Sequence, residues 1–122
     1  MGKSMVDAFA DAALNYAKNN GVLMTVCNAE PTNYTEASAT YKLADVVIDS
    51  ADFTGPADDT SGRKITTTQQ TDVPVDTTGT ATHVAICAAA TLILVTTCTS
   101  QGLTSGNTVT IPAYKDNIAD PT

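Results

Sequence analysis

The sequence predicts a mainly β fold with one N-terminal α-helix, arranged as an antiparallel β-sandwich or small barrel with the helix packed against it. Three observations carry this prediction. Residues 80–99, TATHVAICAAATLILVTTCT, form the most apolar and β-branched run in the chain. Apolar residues recur at helical spacing before residue 21 and give way to short strand-like runs after it. Read as a hairpin, the 80–99 run is apolar on both faces, so each face needs another layer over it.

In chain order, Ser4 followed by Asp7 marks a helix N-terminus, where an acid meets the positive end of the helix dipole. Val6, Phe9, Ala10, Ala13, Leu14 and Ala17 then follow the i, i+3, i+4, i+7 pattern, with Asp7, Asp11, Asn15 and Lys18 opposite. Lys18 and Gly21 end the helix, which is placed at about 4–20 and expected to cover one face of the hairpin. A second role for it is docking a partner. VLMTVC at 22–27 reads as a buried strand. Pro31 extends the chain, one helical turn fits at 35–37, and Tyr34 and Tyr41 are anchors for this stretch.

ADVVIDSADFTG turns Ala44, Val46 and Ile48 inward and Asp45 and Asp49 outward, with a bend near Ser50. The punctuation of residues 55–62 predicts a surface loop, and RKITTTQQ and DVPVD read as edge strands guarded by Arg63, Lys64 and Pro74. Folding the central hairpin about Ala89-Ala90 pairs Ile86 with Ile93, Val84 with Val95 and Thr82 with Thr97. It sets Cys98 opposite Ala81 and Cys87 opposite Leu92. Residues 100–107 read as a turn-rich connection. In TVTIPAY, Thr108 and Thr110 face out and Val109 and Ile111 face in, until Pro112 ends the strand. The chain therefore reads as one domain over 1–122, with a β-domain at about 22–115 and a short polar tail, frayed or pinned by Ile118.

Composition excludes several classes of function. Thirteen acidic residues against six basic ones give a net charge of −7, which repels nucleic-acid backbones and anionic membranes. Only 16% of residues are charged, and threonine is abundant, so the solvent faces are largely hydroxylated. Asp7 and Asp11 interrupt any secretory h-region and no run reaches membrane-span length, so the chain reads as made and folded in the cytoplasm.

No catalytic, cofactor or metal site is nominated. His83 is the single histidine and has no ligand-spaced neighbour in sequence. Cys27, Cys87 and Cys98 are an odd set without metal spacing and read as reduced, small hydrophobes; Cys87 and Cys98 lie too far apart along the ladder to bridge. Asp58 and Asp59 offer oxygen ligands for calcium but lack an EF-hand order.

ALNYAKNNG at 13–21, VCNAEPTNYTEA at 26–37, SGRKIT at 61–66, ATHVAI at 81–86 and LVTTCTSQGLTSGNTVTIPAY at 94–114 resemble small virion proteins of tailed bacteriophages, of the head decoration or cement type. The resemblance covers most of the chain and departs from the family pattern at Ala88-Ala89-Ala90, where a Gly-containing turn is more usual. It implies a non-enzymatic structural protein on the capsid surface, bound to the major capsid protein and to its own copies, with a trimer favoured. A tail- or fibre-associated virion protein is one alternative. A carbohydrate-binding module stacking sugars on Tyr34, Tyr41 or Tyr114 is another.

Overall fold

The computed structural model describes residues 6–119. Among these, α1 (Asp7–Asn20) precedes strands β1 (Leu23–Cys27), β2 (Lys42–Val47), β3 (Phe53–Asp58), β4 (Arg63–Thr67), β5 (Gln70–Pro74), β6 (Gly79–Cys87), β7 (Leu92–Leu103), β8 (Thr108–Ile111) and β9 (Tyr114–Ile118). A π-helical turn, Glu36–Thr40, leads into β2, and a 3-10 turn, Ser50–Asp52, leads into β3. Strands β2, β1, β6 and β7 form a four-stranded sheet in that order, β3, β4 and β9 a three-stranded one, and β5 and β8 a ribbon. Every pairing is antiparallel. The fold is mainly β and sandwich-like, with one N-terminal helix packed on it.

The four-stranded sheet is covered on both faces, which is why β1 is buried almost throughout. Met24, Val26, Ala44, Val84 and Ile86 point into the main core, where they meet Leu14 of α1, Phe53 of β3 and Ile65 of β4. Each such large apolar side chain contributes about 1.5–3 kcal/mol on burial. On the opposite face, Ala85 and Cys87 pack under Ala37 of the π-helical turn, with Tyr34 and Leu92 alongside. The 28–41 segment is thus the second cover.

The helix does not cover the hairpin, as its apolar stripe suggested. It lies against β3, β4 and β9. Two polar ties hold it there: Arg63 at the start of β4 binds Asp11, and Lys18 Nζ donates to the Gly55 carbonyl at 3.1 Å. An apolar stripe says that a helix must dock but not on which sheet; the charged residues beside the stripe choose. Ser4, the expected cap, lies outside the described residues, and Val6 occupies the N-cap position. Gly21 ends the helix in extended rather than left-handed backbone. Its lack of a side chain matters for space, since a Cβ would lie 3.1 Å from Ile86 Cγ2 and 3.2 Å from Phe53 Cζ.

The central hairpin pairs one residue out of the expected register. Leu94 faces Ile86, Val95 faces Ala85, Thr96 faces Val84 and Thr97 faces His83, although Cys87 does face Leu92. The register shifts between Ile86 and Cys87, where Ile93 is the extra residue of β7. It shifts again between Ala81 and His83, so that Ala81 faces Gln101 and not Cys98. Bulges obey close packing of the two layers, which the strand sequence alone does not encode.

Three boundaries also move, and one strand changes its place in the sheet. β3 runs through Gly55-Pro56 to Asp58 by means of an irregularity, leaving only residues 59–62 as the turn. β4 is the middle strand of its sheet and not an edge, because β9 pairs along its whole length. β7 continues to Leu103 through the expected connection. The tail is pinned as β9 to Ile118, beyond the limit of about 115.

Candidate interaction surfaces

The side chains capable of chemistry are dispersed. His83 is opposed across the sheet by Cys27, a neighbour that the β1–β6 pairing sets and the sequence does not show.

 The two stand 56 positions apart in the chain and meet only through that ladder. They do not form a working pair. Cys27 is fully buried, its Sγ donates to the Ala37 carbonyl at 3.6 Å and lies 3.5 Å from Thr25 Oγ1, and burial raises its thiol above the ordinary value. A cysteine nucleophile needs the opposite shift. His83 Nδ1 instead meets Thr82 Oγ1 at 2.8 Å. All three cysteines are unbridged, and burial pushes the Cys87 thiol up to about 11.

Asp58 and Asp59 are drawn to different cations and do not converge on one centre. Asp58 Oδ1 accepts from Arg63 Nη1 at 2.7 Å, and both Asp59 oxygens accept from Lys115 Nζ at 2.8 Å. Lys115, with the Thr60 amide, holds the Asp59 carboxyl below its usual range. Among the described residues no three His, Cys, Asp or Glu side chains gather as a metal would require. Asp116 is different: burial raises its carboxyl, and its Oδ2 is buried without a hydrogen-bond partner. It lies opposite Ile65 and two residues from Tyr114, whose phenol is raised first by burial and then by the Asp116 charge.

Two surfaces stand out. One is the outer side of α1. Ala10, Leu14 and Ala17 are buried against the body, yet Val6 is 71%, Phe9 69% and Tyr16 52% exposed. Helical geometry puts Val6, Phe9, Ala13 and Tyr16 within a sector of roughly 80°. The helix is therefore apolar on an inward and an outward strip. Tyr16 is exposed, whereas Tyr34, Tyr41 and Tyr114 are half-buried, which counts against those three as open sugar-stacking platforms.

The other surface is a groove between β7 and β8. The Ala44–Val75 bridge, with the Asp76 and Thr77 amides donating to the Leu43 carbonyl, continues the four-stranded sheet past β2 onto the β5–β8 ribbon. The strand sequence β7, β6, β1, β2, β5, β8 thus curls towards closure, but among the described residues β7 pairs only with β6 and β8 only with β5. The turn that joins them explains the gap. Gly106 N donates to the Val75 carbonyl, Ser105 N to Thr78 Oγ1 and Ser105 Oγ to the Asp76 carbonyl, so residues 104–107 are fastened to the β5–β6 connection. From that fastening the two strands diverge. The cleft has about 180 Å³ over the floor of Val26, Ala81 and Val84, and about 270 Å³ further out towards Ala113 and Tyr114. Cys98 and Thr99, at the β7 bulge, line both parts. None of the lining residues is charged. The sequence showed both strands but not the gap, since the gap follows from the Ala44–Val75 bridge and from the fastening of the turn.

No helix among the described residues is long and apolar enough to cross a membrane. No family model, no curated protein and no solved structure matches the chain.

Proposed function

We propose that the chain is a non-enzymatic structural protein of a tailed-bacteriophage particle, a head decoration protein that binds the outside of the capsid lattice and associates with its own copies. The observation that supports a binding role is the outward strip of α1. Isolated exposed apolar residues are ordinary, but Val6, Phe9 and Tyr16 share one strip on a helix that already satisfies its inward face. A protein that cements a lattice needs such adhesive surface on a rigid body, and many symmetric copies multiply a modest contact through avidity. The threonine-rich composition and the phage-like strings agree with this reading.

Quantitative mass spectrometry of purified particles of the encoding phage tests it. A ratio near one copy per capsid subunit, or one per few, is expected. A ratio of a few per hundred moves the protein to the tail or a vertex, and absence from the particle overturns the reading. Phe9→Asp is expected to lower incorporation while changing stability by no more than about 0.5 kcal/mol, as for other exposed positions.

A further inference from the structure

We propose that the seam between β7 and β8 is a strand-acceptor slot, filled by one extended, uncharged segment of a partner polypeptide that closes the barrel. The inference stands independently of whether the chain is a virion protein.

Three observations define the occupant. The first is main-chain supply: among the described residues β7 makes its ladder with β6 alone and β8 with β5 alone, so no described strand pairs with the edges on either side of the seam. A backbone has the matching donors and acceptors at the matching repeat, which lipids and most small ligands lack. The second is charge. In a chain of net charge −7 the slot is lined without one acidic or basic side chain, so an ionic segment would lose hydration and find no counter-charge. The third is chemistry along the walls. Leu103, Val109 and Ile111 offer apolar contacts and Thr96, Thr99 and Thr110 offer hydroxyls, which suits a segment alternating apolar and hydroxyl residues.

The β7 wall of the slot is only partly guarded against pairing. Natural edges are blunted by lysine, proline or inward charge; the one proline at the cleft, Pro112, stands just past the end of β8, and β7 carries no charged residue over its 12 positions. Its protection is the bulge between Ala81 and His83, which brings both Cys98 and Thr99 to the cleft. Because β7 and β8 run antiparallel through the 104–107 turn, an inserted strand is antiparallel to one wall and parallel to the other. The parallel side is the weaker.

The test uses the purified full chain and a displayed library of eight-residue peptides that alternate Thr or Ser with Val, Ile, Leu or Tyr, against a control library with Asp and Lys at the hydroxyl positions. Enrichment from the uncharged library alone is expected. The best peptide, made synthetically, should slow amide exchange in β7 and β8 and shield Cys98 from iodoacetamide. Its N-methylated form, which lacks main-chain donors, should bind at least tenfold more weakly, and Thr99→Trp, which fills the cleft from an exposed position, should abolish binding with its melting temperature preserved. Failure to enrich any peptide, equal binding of the N-methylated form, or protection mapped to α1 overturns the proposal. So does a dimer of the free chain that Thr99→Trp dissociates, because the occupant is then a second copy. None of these outcomes depends on the particle measurement, so the slot and the virion reading fail separately.

Discussion

Arg63 and Asp11, 52 positions apart, meet as a two-pronged pair, with Nε 2.8 Å from Oδ1 and Nη2 3.2 Å from Oδ2. The same guanidinium takes Asp58 through Nη1 at 2.7 Å, and its side chain is 17% exposed. One residue therefore joins α1, the end of β3 and the start of β4, and the surrounding carboxylates hold it charged above its already high ordinary pKa. The planar fork is what makes the three-way contact possible.

Replacing Arg63 should loosen the helix before the sheets. Arg63→Lys keeps the charge but cannot reach Asp11 and Asp58 together. Hydrogen exchange is expected to quicken several-fold in α1 and stay near its original rate in β1 and β6. Equal acceleration in all three would show that the helix opens only with the whole molecule.

Gly62 has a φ of +76°, and a Cβ there would overlap the Ile118 carbonyl oxygen of β9. Gly62→Ala combines backbone strain with a clash against a paired strand, so it should destabilise by about 3 kcal/mol or more. Chemical denaturation of the variant measures this directly; a loss below 1 kcal/mol would mean that the 59–62 turn can shift freely away from β9.

Asp116 gives a pH signature. Burial raises its folded pKa above the ordinary 3.8 of an aspartate. Such a group stabilises fully below its unfolded pKa, and that contribution is lost as pH rises through the folded pKa. Asp116→Asn removes the charge that burial disfavours, so the variant should be the more stable protein at pH 7. The difference should shrink as pH falls and vanish below about pH 3.8. Urea melts of both proteins at pH 3, 5 and 7 follow the difference. Asp59, held low by Lys115, acts in the opposite direction in both proteins and cancels in the comparison.

Thiol labelling should separate the cysteines. Cys27 and Cys87 are buried, and Cys98 is partly exposed at the cleft. Native protein treated with iodoacetamide at pH 8 is expected to take one adduct, at Cys98, and more slowly than a free thiol because burial raises that group too. Two further adducts should appear only on unfolding. Rapid modification of Cys87 in native protein would contradict its covered position.

Much of the architecture was legible from local pattern. The alternation of Ala44, Val46 and Ile48, the apolar run into β1 and the in-and-out order of Val109 and Ile111 are each determined by neighbours two residues away. The candidate surfaces were less so. The outward strip of α1 was read as part of one apolar face, because periodicity counts Val6 and Phe9 with Leu14 and does not divide them between body and solvent. Arg63 and Lys64 read as edge guards, but Arg63 is the anchor of a helix whose partner acid lies 52 positions earlier.

By itself the sequence determined a β-rich chain with one N-terminal helix, a buried β1, an apolar β6–β7 hairpin and an acidic, hydroxyl-rich surface, since each depends on the burial preferences of residues close in the chain. Tertiary structure decided the sheet that α1 covers, the one-residue register of Ile86 against Leu94, the meeting of His83 with Cys27 and the open seam beside β7. Those features come from pairing and packing between distant segments. There the favourable choice depends on how two layers fit together, and no local period records it.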